Sequence, residues 1–379
     1  MQDYPPFEAT PTAKVAKAAS DDGEWGPVIS WPHIPVSAAT LPDGRILSWA
    51  SNQRDAFPVA GDFTFAATWD PNSGQFQELN HNQHDMFCGH TVMLEDGRVM
   101  VNGGRKTVRD TSTFDFATNS WQRIDNMVDP RWYPTTVALP NDRVFTVSGN
   151  GGPNTAEVWT EGQGWQKLTN VNWSPIANAA GFESLWWPYV FLAPDGNLFH
   201  AGPTDAMHWV DPTGSGSLTN AGVSVPGNWY PKHAGAVMYD EGKLLIAGGA
   251  FDTGGGSTNK AYTVDINGAT PQVNQITSMQ RARRFANAVM LPNGEVLMVG
   301  GNTSGTKFSD NGTVLAAEIW NPDTDQWREV ADMAVPRQNS VNGTIRDYAC
   351  YVSTDGINWG SPVAQGTFAP DSTAKTVFF

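Results

Sequence analysis

Short apolar runs alternate with turn residues along most of this chain, and six segments repeat one pattern. They are AATLPDGRILSWAS from Ala38, TVMLEDGRVMVNGG from Thr91, TVALPNDRVFTVSG from Thr136, VFLAPDGNLFHAG from Val190, AVMYDEGKLLIAGG from Ala236 and AVMLPNGEVLMVGG from Ala288. Each reads as an apolar strand, a tight Asp/Asn-led turn, a second apolar strand and often a glycine pair. The turn positions Gly44, Gly97, Asp142, Gly196, Gly242 and Gly294 are spaced by 53, 45, 54, 46 and 52 residues. Between the hairpins lie aromatic-flanked turns such as TWDPNSGQF at Thr68, FDFATNSW at Phe114 and IWNPDTDQW at Ile319. Their Asp and Asn side chains can bond their own backbone. No helical stripe or heptad competes with this reading.

A hairpin and a Gly pair recurring at a period near fifty resemble the kelch repeat of β-propellers. The expected fold class is all-β: a kelch-type propeller with six recognisable blades, a seventh missing, and a partial β-sandwich. Residues 1–26 are Pro/Ala-rich and polar and read as an arm. The propeller is expected over 27–337. A seventh repeat is due after Met333: Met127 precedes Tyr133 by six residues, Met279 precedes Phe285 by six, and the same count from Met333 reaches Asn339. No strand–turn–strand follows there, and residues 338–379 carry a different rhythm.

Composition narrows the partners. A formal net charge of −15 with no Lys/Arg-rich stretch argues against nucleic acid and anionic membranes. The 379 residues contain no run of about 18 apolar residues, the span a transmembrane helix needs. The start, MQDYPPFEATPTAK, lacks an apolar leader core. Two cysteines, Cys88 and Cys350, cannot define a disulfide framework. The protein is expected to be a monomer.

Stepping back nine residues from each turn gives Pro35, Cys88, Tyr133, Trp187, His233 and Phe285. All precede an innermost strand, so all are expected at one mouth of the central channel. Cys88 and Tyr133 hold the same offset on consecutive blades and are expected to be neighbours. A thiol, a phenol and an imidazole at one axis are all transition-metal ligands, and imidazole with oxygen donors suits Cu(II). The same residues could instead be packing, a structural histidine, or a Cys–His nucleophile pair.

HNQHDMFCGH around Cys88 and PRWYPTTVALPNDRVF around Tyr133 resemble the galactose oxidase family of copper radical oxidases. The resemblance runs from about Trp25 to Arg337 and takes in GEWGPVISWPHIPVSAA, SNQRDAF, LFHAGPTDAMHW and HAGAVMYDEGKLLIAGG. It implies a thioether between Cys88 and Tyr133, with Tyr133 a copper ligand and radical carrier. Phe57 and Phe285 match substrate-pocket aromatics; His233, the only histidine at the ring offset, is the candidate for a weak substitute metal ligand. The implied reaction oxidises a primary alcohol or aldehyde and reduces dioxygen to hydrogen peroxide. It also implies secretion. The tail resembles the middle of a discoidin-type, galactose-binding sandwich.

The chain departs from the family at definite places. The family's second ligand tyrosine and adjacent histidine would fall at Gln338 and Asn339, and a later ligand histidine has no match. Gly151 and Gly152 stand where an aromatic stacks over the thioether, and Glu183 and Ser184 where a basic residue is expected. The alternative expectation is therefore a catalytically deficient carbohydrate-binding or interaction propeller.

Overall fold

The computed structural model describes residues 25–26, 28–56, 58–105, 108–150, 154–179, 186–227, 231–250, 255–305 and 311–334. Expectations resting on Phe57, Gly151, Gly152, Glu183, Ser184, Gln338, Asn339 and Cys350 lie outside these residues. So do the arm to residue 24 and the whole of 338–379.

The described residues form six four-stranded antiparallel sheets, each built from strands consecutive in the chain. They span 37–78, 90–123, 135–168, 189–224, 235–275 and 284–332 and are called blades one to six. Each of the six repeats supplies the two inner strands of one blade. A short helix, Ser174–Ala179, follows blade three. No helix among the described residues is long and apolar enough to cross a membrane.

Turn chemistry fixes the hairpins. In blade one Leu41 donates to Arg45 O at 2.8 Å and Gly44 to Leu41 O at 2.9 Å, and the same pair of bonds closes the hairpins at Gly97, Gly196 and Gly294. Blade three has no glycine there. Asn141 and Asp142 take φ of +63° and +50°, the left-handed pair that a two-residue hairpin turn requires and that Asn and Asp tolerate. Burial then grades outward. The inner strand Ile46–Trp49 is buried at every position, whereas the outermost strand Ser120–Arg123 is mostly exposed.

Apolar side chains fill the gaps between successive blades. Leu47 and Trp49 meet Val99 and Val101 between blades one and two, and Phe145 and Val147 meet Leu198 and Val210 between blades three and four. Tyr262 and Val264 join blades four and five, and Met298 and Trp320 join five and six. Among the described residues no such cluster joins blade six to blade one. Instead the outer face of blade six is covered by Trp25, whose Nε1 donates to Ala331 O at 2.6 Å. The outer face of blade one is covered by Ile29 and Trp31. One short N-terminal segment thus touches both ends of the row of blades, as an edge-covering strand would.

The glycine pairs have a specific task. A Cβ on Gly103 would stand 2.5 Å from Arg131 O, and one on Gly248 2.5 Å from Arg283 O. Gly104 N–H and Gly249 N–H donate to those same carbonyls at 3.1 and 2.8 Å. Each pair therefore lets the chain entering the next blade lie directly against its backbone.

Candidate active site

The residues nine before each turn share one conformation. Cys88, Tyr133, Trp187, His233 and Phe285 have φ of +59°, +64°, +45°, +59° and +60°. Pro35, whose ring fixes φ near −65°, cannot join them. A left-handed non-glycine residue costs about 1–3 kcal/mol and persists only where its surroundings impose it. Here the imposition is a backbone link across blade boundaries. Tyr133 N–H donates to Cys88 O at 3.2 Å, Trp187 N–H to Tyr133 O at 3.1 Å and Phe285 N–H to His233 O at 2.9 Å.

Arginine clamps hold two of these positions from beneath. Arg131 sends Nη1 to Ser148 O at 2.8 Å, and Nη2 to Thr155 O at 3.1 Å and Glu157 Oε1 at 2.9 Å. Glu157 in turn accepts Val128 N–H and Asp129 N–H at 2.6 and 3.1 Å. Arg283 repeats this with Gly300 O, Ala316 O and Glu318 at 3.2, 2.9 and 2.6 Å. Glu318 accepts Gln280 N–H and Arg281 N–H at 2.6 and 3.1 Å. Both ion pairs are fully buried. Each sits two residues before its ring position, Tyr133 or Phe285.

Cys88 and Tyr133 meet as their offsets require. Cys88 is a free thiol lying beside Tyr133 and Trp132. Burial pushes the thiol up to about 12, against a smaller opposite pull from Tyr133 and Trp132. Burial also raises the Tyr133 phenol far above its ordinary value, and the neighbouring Cys88 adds to this. Both groups are therefore neutral near pH 7. A Cys–His nucleophile pair needs a thiolate, which this site disfavours.

Indoles wall the phenol. Trp132 stacks on Tyr133 with centroids 4.4 Å apart and planes at 21°. Trp186 lies at 5.0 Å and Trp187 edge-on at 4.3 Å. Gly151 and Gly152 stand where the family resemblance places a stacking aromatic; here the indoles beside the phenol are Trp132, Trp186 and the ring residue Trp187. The Trp-Trp pair before blade four was the available signal. Trp187 is 39% exposed, a large apolar surface at the mouth. His233 packs against Phe285 with centroids 4.5 Å apart, and the Arg284 guanidinium lies 5.0 Å from the Phe285 ring. These residues form the opposite part of the ring, between blades five and six. Among the described residues no three His, Cys, Asp or Glu side chains converge as a metal-holding group.

Comparison with known proteins places this architecture. The Glyoxal oxidase N-terminus family profile matches residues 34–340. A galactose oxidase of Gibberella zeae is 32% identical over 324 residues, covering 80% of this chain and 48% of that protein. An aldehyde oxidase of Arabidopsis thaliana is 24% identical over 329 residues, covering 77% and 52%. A fungal alcohol oxidase of the AA5 family, solved in complex with copper, superposes with a TM-score of 0.78 at 30% identity, over 84% of this chain and 69% of that one. The chain belongs to the glyoxal oxidase N-terminal family and is galactose oxidase-like. It spans about half the length of the curated relatives it matches.

Proposed function

We propose that this chain carries the redox half of a copper radical oxidase acting on a primary alcohol or aldehyde. One observation carries the reading: Cys88 and Tyr133 are adjacent on consecutive blades, with Tyr133 N–H donating to Cys88 O at 3.2 Å. In a thioether-forming pair, a bond forms between Cys88 Sγ and a ring carbon of Tyr133. The S–H and C–H hydrogens leave with two electrons, and dioxygen takes them up as hydrogen peroxide. The overall turnover is RCH2OH with O2 giving RCHO and H2O2.

Among the described residues the donor set does not complete a copper site. Tyr133 is one oxygen donor, and His233 packs on Phe285 across the ring. When bound, copper would supply one-electron chemistry beside the oxidised phenol. The chain's own part is to hold the Tyr133 hydroxyl and Cys88 thiol in register, and to exclude water with Trp132, Trp186 and Trp187. Phe57 and Phe285 as pocket aromatics, secretion, and a monomeric state belong to the same reading.

The alternative is a carbohydrate-binding or interaction propeller without turnover, motivated by the fact that no three His, Cys, Asp or Glu side chains converge among the described residues. Copper and oxygen treatment followed by peptide mass spectrometry separates them. The oxidase reading expects the Cys88 and Tyr133 peptides joined, lighter by a pair of hydrogens than their sum. Two unmodified peptides and no peroxide from simple primary alcohols would leave the binding propeller.

A further inference from the structure

A pair of histidines lies within the strands of blade four, outside the ring positions. His200, on Leu198–Gly202, and His208, on Ala206–Asp211, stand directly opposite each other in the antiparallel register. His200 is fully buried, and neither of its ring nitrogens makes a hydrogen bond of normal geometry. His208 Nδ1 is also buried without one, and so is Nε1 of the fully buried Trp173, whose ring lies 5.3 Å from that of His200. Buried polar atoms in native proteins are nearly always satisfied, and a group of unsatisfied ones points to a bound water or ion. Here the orphaned atoms are clustered.

Their spacing fits a shared ion. Two imidazoles that bind one metal at about 2.0–2.1 Å, across an angle of about 110–125°, place their ring centres about 5.2–5.7 Å apart. The His200 and His208 centroids are 5.6 Å apart. Burial keeps both rings neutral, His200 down to about 3, although backbone groups at Gly202 and Ala206 pull the other way. A neutral ring offers the lone pair that a metal needs.

There is also a route in. A cavity of about 300 Å³ is lined by His208, Asn170, Asn172, Asn220, Pro175 and Leu218. Asn172 and Asn220 already spend their carbonyl oxygens on Ser174 N–H at 3.1 Å and Gly222 N–H at 2.7 Å. Solvent from the cavity would therefore fill the remaining coordination positions.

We propose that His200 and His208 form a two-imidazole site for a divalent transition-metal ion, entered from this cavity and independent of Cys88 and Tyr133. The test is calorimetric titration of chelator-stripped full chain with Ni2+ and Zn2+, with thermal melts alongside. One ion per chain and a raised Tm are expected. His208→Asn removes a ligand at the cavity wall, where the fold should tolerate it. Loss of an outer-shell partner alone typically weakens a metal site 10–100-fold, so this variant should lose about tenfold or more. His200→Gln should behave likewise, and Tyr133→Phe should retain the site in full. Absence of binding to the parent chain, or unchanged stoichiometry and affinity in His208→Asn, would overturn the proposal and leave a bound water to satisfy the cluster. Neither outcome depends on whether Cys88 and Tyr133 couple.

Discussion

The junction between blades two and three and that between blades five and six share one backbone plan with different contents. In both, a glycine pair receives the carbonyl of a buried arginine, a glutamate closes the clamp, and a left-handed residue donates its N–H to the preceding blade. In the first, His90 Nδ1 accepts Thr136 N–H at 3.1 Å, Thr136 Oγ1 donates to Asn102 Oδ1 at 2.8 Å, and Asn102 Nδ2 donates to Thr146 Oγ1 at 3.1 Å. The equivalent four positions of the second are Gly235, Ala247, Ala288 and Met298, which pack as apolar surface. The ring residues differ in the same way: Cys88 and Tyr133 against His233 and Phe285. The repeat supplies a rigid frame, and chemistry is introduced at one junction by side-chain exchange.

The sharpest way to break this comparison is to remove each clamp. Arg131→Ala and Arg283→Ala each strand a buried carboxylate, which typically costs about 3–5 kcal/mol. Urea denaturation should give equal losses at the two junctions. A difference beyond about 1 kcal/mol, well outside the usual few tenths of scatter, would show that the frames are not equivalent.

Acid should separate the junctions. Burial holds His90 down to about 3. Its folded value lies below the ordinary imidazole value of about 6.5, so its contribution is complete above that pH and is lost as pH falls toward 3. The slope is about 1.4 kcal/mol per pH unit for each such histidine. The buried His84 and His200 add to it in the same direction. His90→Gln keeps an acceptor for Thr136 N–H and should remove one histidine's share of the slope in denaturation followed from pH 7 to 4.5. Gly235, its counterpart, titrates nothing.

Smaller changes sharpen the contrast. Thr146→Val strips hydrogen bonds from buried Asn102 and Thr136 and should cost about 1–3 kcal/mol by thermal melting. At the matching position Met298→Leu should cost less than about 1.5 kcal/mol. Tyr133→Phe should change stability least, within about 1 kcal/mol, yet abolish any joined peptide in mass spectrometry. Phe285→Tyr should create none, because the preceding blade offers His233 where a thiol would be needed.

Much of this frame is legible in the chain. The six hairpins announce themselves through Asp/Asn turns, and the nine-residue offset places Cys88 beside Tyr133. The clamps are only half legible. Arg131 and Arg283 both stand eleven residues before their turns, but Glu157 follows its turn by 15 and Glu318 by 24. A longer connection after the inner strands of blade six hides the match, because a loop can lengthen without moving the strand it feeds. The indole wall was hidden for another reason. Trp132 and Trp186 both reach Tyr133, and each other, because left-handed turns redirect the chain there, and sequence periodicity does not register such turns. The blade-four histidines form a pair only through strand register, eight residues apart across a short hairpin.

The contact between Trp25 and Ala331 joins positions 306 residues apart. Closing so long a loop in an unordered chain would cost about 5 kcal/mol in entropy, more than one hydrogen bond and a partly buried indole readily offset. Once the six blades have docked in sequence, their own contacts have already brought the two ends together and the cost largely vanishes. This contact is therefore a late event in folding, the latch that engages after the row of blades is built. It is also one that unfolding can release without disturbing any of the six four-stranded sheets. The outer face of blade six would open before the Tyr133 ring loses its geometry.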